Sequence, residues 1–235
     1  MRPVAIFRFA SGDEPGHFAD WLEAAGRPRR LFALHDGEPV PPSAAPYAGI
    51  GMMGGPMSVN DPLPWVAPME SLVRDAIARG VPVIGHCLGG QLLATALGAR
   101  VRRATTTEIG WIDVEPCDAA AADEWFGGRS RFAMFQWHYE TFDLPAGARR
   151  VLASPWTANQ AYVVGDRHLG MQGHIEITAV IARSWVAQSG TELPRASTPS
   201  MQCAADLLRD LDARVAASNA VADDVYARWA RQLVH

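Results

Sequence analysis

The sequence predicts an α/β protein, a mostly parallel sheet covered by helices on both faces. Two observations carry that prediction. Apolar runs and amphipathic helical patterns alternate through the first hundred residues, the order a parallel sheet requires, because each crossover between parallel strands is made by a segment packed on one face. The second and third apolar runs also lead into Gly/Pro-rich stretches where the chain leaves the sheet.

In chain order, Val4-Ala5-Ile6-Phe7 is the first strand. The segment GHFADWLEAAG sets Phe18, Trp21, Leu22 and Ala25 on one helical face and stops at Gly26. Arg30 to Leu34 is a second strand and Tyr47 to Met52 a third. A helix from Trp65 to Arg79 ends at Gly80, and Val81 to Ile84 is a buried central strand. The middle of the chain has shorter strands and more turns. Trp111 to Glu115, Phe132 to Trp137, Val151 to Ala153, Ala161 to Val164 and Leu169 to Met171 continue or flank the same sheet. From Glu176 the pattern becomes helical through ITAVIARSWVAQ, crosses a polar, Pro-containing connection at 189–200, and ends in two more amphipathic segments. Residues 1–190 are expected to form one α/β domain and 191–235 a helical extension packed on or next to it. In the last segment Val225, Trp229 and Leu233 make an apolar stripe. It serves either as a surface for a partner or a second copy, or as core against the protein's own sheet.

Apolar residues make up 49% of the 235, which supports a sizeable core and argues against disorder. The formal net charge is −4, arginine far outnumbers lysine, and no run of like charge exceeds a pair such as Arg29-Arg30 or Arg102-Arg103. That balance argues against a nucleic-acid-binding surface. The N-terminal apolar stretch is too short for a signal peptide, and no run reaches the roughly 18 apolar residues of a membrane span. A soluble, cytoplasmic protein without membrane attachment is expected. Cys87, Cys117 and Cys203 are odd in number and lack C-x-x-C spacing, which fits free thiols in a reducing compartment. Nothing in the pattern suggests a metal or a cofactor.

The chemistry is concentrated around residues 81–98, VPVIGHCLGGQLLATALG. A Gly-x-Cys-x-Gly sequence between a buried strand and a helix is the thiol counterpart of the nucleophile elbow. The glycines allow a sharp turn, and the N–H groups opening the helix favour a thiolate and can receive a developing oxyanion. An isolated cysteine is more often a small buried apolar residue, but three other stretches point to chemistry. MQGHIEIT offers His174 and Glu176, two apart along an extended segment and so on one face, as a base and the group that orients it. GMMGGPMSVNDPLPW follows the third strand with a Gly-Gly-Pro turn whose bare backbone can approach a ligand. FQWHYETFDLPAGA sets polar and aromatic groups after another strand.

Together and in this order, these stretches resemble the class I, or Cys-His-Glu triad, glutamine amidotransferases, and among them the stand-alone GMP synthase-like amidotransferase domains. The most specific pieces are GHCLGGQLLA, GGPMSVNDPLPW and EIGW at 108–111. The resemblance implies a flavodoxin-like, doubly wound sheet and hydrolysis of the side-chain amide of glutamine or a γ-glutamyl compound. It implies Cys87 as nucleophile, His174 as general base and acid, and Glu176 as its orienter. By the same resemblance the N–H groups of Gly55 and Leu88 form the oxyanion hole. Gln91, with the backbone near Trp137 and His138, holds the amino-acid end.

The chain departs from the family pattern in three places. Gly173-His174-Ile175-Glu176 replaces Phe-His-Pro-Glu, Tyr139-Glu140 replaces Gly-Asp, and Gly90 replaces a larger residue. Tyr139 sets a phenol beside the expected substrate pocket, where it either stacks on a larger substrate or folds outward. Three functions follow as alternatives. One is an amidase passing ammonia to an acceptor enzyme on another chain, since no ATP-binding phosphate loop is present in the sequence given. Another is a self-sufficient γ-glutamyl amide or peptide hydrolase, with Gly90 and Gly173 opening the pocket. The third is a catalytically silent binding module on the same fold. Homo-oligomerisation is compatible with all three.

Overall fold

A computed structural model describes residues 1–234. Nine strands form one sheet in the order β2-β1-β3-β4-β9-β8-β7-β5-β6. Its parallel half comprises β1 (Val4–Arg8), β2 (Arg29–Ala33), β3 (Gly49–Met52), β4 (Val83–His86) and β9 (His168–Met171). Helices α1 (Gly16–Ala24), α2 (Val66–Ala78) and α3 (Leu88–Ala96) belong to this half. The strands β8 (Ala161–Val164), β7 (Arg149–Ala153), β5 (Val101–Pro116) and β6 (Phe132–Phe142) extend it with antiparallel pairings. The order 2-1-3-4 with helices on both faces is the doubly wound, flavodoxin-like arrangement.

Alternation along β1 builds the two faces. Val4 and Ile6 join one apolar cluster with Phe18 and Leu22 of α1, whereas Ala5 and Phe7 join the opposite one with Met69 and Val73 of α2 and Leu92 of α3. A third cluster lies on the β5–β6 hairpin, where Ile109, Trp111 and Phe135 meet Ile181 of α5 (Ala179–Gln188), Leu207 of α6 (Ala204–Leu208) and Leu211 of α7 (Leu211–Ala230).

Two sequence expectations need correction. The fourth strand runs to His86 rather than ending at Ile84, so Cys87 follows it directly. Three of the five middle strands are short as expected, but β5 spans 16 residues and β6 11, and that pair encloses an unexpected helix, α4 (Ala119–Trp125). Of the two roles left open for the C-terminal stripe, it takes that of core. Val225 and Trp229 are fully buried and Leu233 nearly so, in the cluster that holds Phe18 of α1 and Trp125 of α4. Among the described residues no helix is long and apolar enough to cross a membrane.

Removing this stripe removes core. Trp229→Ala is expected to cost about 3–5 kcal/mol, and deletion of residues 219–235 to abolish the cooperative unfolding transition, read by urea denaturation and near-UV circular dichroism. A truncated protein that unfolds cooperatively with an unchanged midpoint would contradict the packing.

Candidate active site

Strand ends and loops on the carboxyl side of β1, β3, β4 and β9 converge on Cys87, the edge where open α/β sheets bind ligands. Cys87 caps α3 with φ 49° and ψ −108°, a region that costs a non-glycine residue roughly 1–3 kcal/mol. Its neighbours make the turn possible. A Cβ at Gly85 would overlap the carbonyl oxygen of Gly89, one at Gly89 that of Met52, and one at Gly90 that of Met171. The elbow therefore lies against the backbones of β3 and β9 with no room for side chains.

His174 reaches the thiol from the loop after β9. It does not lie on a strand, as the sequence pattern suggested, but makes an isolated bridge in which its N–H donates to the Phe135 carbonyl at 2.8 Å. Its imidazole Nδ1 donates to Glu176 Oε1 at 2.6 Å, and the ring borders the same cleft as the Cys87 thiol, which accepts from Gln172 Nε2 at 3.7 Å. All four side chains are buried. The Glu176 carbonyl accepts the N–H of His17 at the start of α1, at 2.9 Å, which fixes the loop to the opposite face.

Gly55, near the start of the loop after β3, borders the thiol, and its N–H makes no backbone hydrogen bond among the described residues. Leu88 is the first residue of α3, where an N–H has no intrahelical acceptor. Two clefts meet at Cys87. The larger, about 340 Å³, is bordered by Ser58, Gln91, Tyr139 and Glu140. The other, about 280 Å³, lies on the His174 side, bordered by Ser11, Asp13, Trp185 and Gln188. Gly55, Trp137 and Glu192 border both.

Most of the expected site residues lie around these clefts. Gln91 Nε2 donates to the Glu140 carbonyl at 3.4 Å and to Gln172 Oε1 at 3.3 Å. Tyr139 does not fold outward: its hydroxyl and the Trp137 indole N–H both donate to Glu192 Oε2 at 3.1 Å, and Arg103 covers its ring. The His138 imidazole is different, because it turns into the interior, where Nε2 meets Glu108 Oε2 at 3.0 Å. Ser154 and Gln160 also donate to that carboxylate. Only the backbone of His138 is left to face the cleft. Gly90 and Gly173 do not open a pocket. A side chain at Gly90 would meet the β9 backbone, and one at Gly173 would meet Gln136 and Met134 in the interior. Sequence reasoning missed Asp13, Trp185 and Glu192. Asp13 had a readable signal, the SGDEPG loop that directly follows the first strand.

A sequence profile described as Glutamine amidotransferase class-I matches residues 35–184. The chain belongs to the class I glutamine amidotransferases. It is similar along its whole length to a solved structure described as a glutamine amido transferase from Methylobacillus flagellatus, at 44% identity and TM-score 0.96, covering 100% of this chain and 96% of that one. The glutamine amidotransferase-like protein YfeJ of Salmonella typhimurium is 27% identical over 191 residues, 78% of this chain and 79% of that one. GMP synthase [glutamine-hydrolyzing] of Aeropyrum pernix is 34% identical over 131 residues, which is 55% of this chain but only 24% of that enzyme's length.

The charges at the site are set by one carboxylate between two imidazoles. Burial opposes charge on His174, yet the Glu176 carboxylate and the Cys87 thiol outweigh it and hold the imidazole well above its ordinary 6.5. Burial also opposes charge on Glu176, but His86 and His174 beside it hold its carboxyl below the ordinary 4.5. For the fully buried His86 burial dominates and its pKa falls.

The signs give a pH window. Stabilisation from the raised His174 is complete below 6.5 and is lost as pH rises through the folded value. That from the lowered Glu176 is present above 4.5 and is lost as pH falls through its folded value. The pair therefore stabilises most between these limits and less in alkali. Glu176→Gln is expected to destabilise by about 1.5–3 kcal/mol near pH ~6, the worth of a hydrogen bond to a charged group, and by clearly less near pH ~10. Equal destabilisation at both pH values in urea titrations would refute this pairing.

Proposed function

We propose that the protein hydrolyses the side-chain amide of glutamine or of a γ-glutamyl compound through a thioester on Cys87. The observation that carries this reading is the elbow cysteine bordering one cleft with an imidazole whose Nδ1 donates to a buried carboxylate at 2.6 Å. Such a set can activate a thiol and return its proton to a leaving group.

In this reading the Cys87 thiolate attacks the γ-carbonyl carbon, and the N–H groups of Gly55 and Leu88 receive the negative oxygen. The C–N bond breaks as His174 passes its proton to the departing nitrogen, leaving a γ-glutamyl thioester and a free amine or ammonia. His174 then takes a proton from water, whose oxygen attacks the thioester carbon. Glutamate and the thiol are released. Glu176 holds the imidazole in the correct tautomer throughout. The glutamyl end occupies the Gln91-side cleft, against the backbone at 137–139. A second reading, delivery of released ammonia to an acceptor enzyme on another chain, is supported by the Aeropyrum GMP synthase, where the similar segment is one part of a longer enzyme.

A glutamine-analogue electrophile such as diazo-oxo-norleucine is expected to label Cys87 and neither of the other thiols. The choice of reagent matters. Cys203 is the N-cap of α6, where the neighbouring Ser197 lowers its thiol pKa, so a general alkylating agent would report it too. His174→Ala is expected to lower turnover by about 10²–10⁴-fold, with Glu176→Gln intermediate. Labelling of Cys117 or Cys203 by the analogue, or wild-type rates in the histidine variant, would overturn the mechanism.

Tyr139 fills the place where bare backbone would otherwise meet the amino-acid end. Tyr139→Gly is therefore expected to improve kcat/KM for free glutamine, mainly through a lower KM, as when an obstacle common to the ground and transition states is removed. Unchanged steady-state constants would show that the phenol does not restrict the site.

A further inference from the structure

The cleft on the His174 side has no role in the chemistry if the leaving group is ammonia. At about 280 Å³ it is several times larger than the roughly 30 Å³ share of a water-sized molecule. Its position is defined by the thiol it shares with the Gln91-side cleft: a γ-glutamyl group on one side of Cys87 directs the substituent on the amide nitrogen to the other, over the imidazole that protonates it. The walls there are specific. Trp185 sets its ring edge-on to His174 at 4.9 Å between centroids, and Trp137 closes the adjoining side.

Apart from the His174 imidazole, the charged groups are of one sign. No lysine or arginine borders this cleft among the described residues, whereas Asp13 and Glu192 do. Glu192 already accepts from Trp137 and Tyr139. The Asp13 carboxylate accepts no hydrogen bond from any described residue. The nearby Arg8 is committed to Glu14 and to the carbonyls of Ser11 and Asp13. Burial raises the Asp13 pKa against the opposing influence of His174 and Arg8, as expected for a carboxylate lacking a close cation.

Resting on the amidase reading above, we propose that this cleft is a leaving-group subsite for an amine larger than ammonia that carries a second, cationic group, which Asp13 receives. The substrate class is then the γ-glutamyl amides of diamines or similar cationic amines. Peptides, whose leaving group carries a carboxylate, are disfavoured by the Asp13 and Glu192 charges. The released product is the free amine, protonated by His174 as the C–N bond breaks.

Three γ-glutamyl amides of matched length separate charge from size: those of pentylamine, diaminopentane and aminopentanoate. The expected order of kcat/KM is cationic, then neutral, then anionic, with the cationic compound at least about tenfold above the anionic one, the factor that ~1.4 kcal/mol represents. Asp13→Asn should shrink that ratio to within about twofold, and Asp13→Lys should invert it. A ratio near one in the wild type, or one unchanged in both variants, overturns the subsite. Free diaminopentane tests it without turnover. It should change the tryptophan fluorescence of the intact protein saturably, more weakly in Asp13→Asn, and pentylamine should do so at higher concentration. If no γ-glutamyl compound, glutamine included, is hydrolysed while the diamine binds in this Asp13-dependent way, the amidase reading fails and the cation subsite stands. Hydrolysis of glutamine with no diamine binding and no charge preference has the opposite meaning.

Discussion

The backbone of Cys87, at φ 49° and ψ −108°, is the constraint on which the rest of the cleft depends. Such a turn persists only where surrounding structure over-determines it. Here β4 enters it from one side and α3 leaves from the other, with Gly85, Gly89 and Gly90 packed against backbone rather than side chains. The turn aims the thiol away from the sheet and brings the unpaired N–H of the first helical residue beside it. Relaxing the turn would separate the sulfur from His174 and from the Gly55 loop together.

The two halves of the sheet contribute differently to this point. The parallel half supplies the elbow and the loops after β1 and β3. The antiparallel half carries Trp137 and Tyr139 along β6 to the other wall, and β9, where the halves meet, leads into His174 and Glu176. The C-terminal helix reaches the same centre from behind. Tyr226 of α7 lies 3.2 Å from Nε2 of the buried His86, whose same nitrogen stands 3.9 Å from Glu176 Oε2. Among the described residues that carboxylate oxygen has no hydrogen-bond partner. Glu176 is thus held between His174, which takes its other oxygen, and an imidazole fixed by the extension, and the extension belongs to the support of the site as well as to the core.

The parallel half was legible in the sequence because its strands are short, apolar and punctuated by glycine and proline, and because Gly-x-Cys-x-Gly has few structural uses at a strand-to-helix junction. The His-x-Glu pair was readable in kind but not in conformation: the two side chains meet across a bend after β9, not on a strand face. The start of β5 was hidden because residues 102–107 carry no apolar run, and its pairing with β6 at Arg102 and Arg103 breaks register before resuming at Glu108. The stretch DAAAADEW gave no strong apolar period, yet it is a helix capped by Asp118, which accepts from the Ala121 N–H. The His138 ring, which no sequence pattern placed, is held by Glu108, thirty positions earlier. Asp13, Trp185 and Glu192 come from three separate loops and helices, and only tertiary structure brings them to one cleft.

Rapid acid quench of the protein with a γ-glutamyl substrate, followed by peptide mass mapping, tests the central claim most directly. The account predicts one added glutamyl unit on the peptide that contains Cys87, formed within the first turnover, absent from Cys87→Ser and accumulating in variants that slow attack by water. Amide hydrolysis at full rate with no glutamyl unit on any cysteine, or with the unit on Cys117 or Cys203, would contradict it.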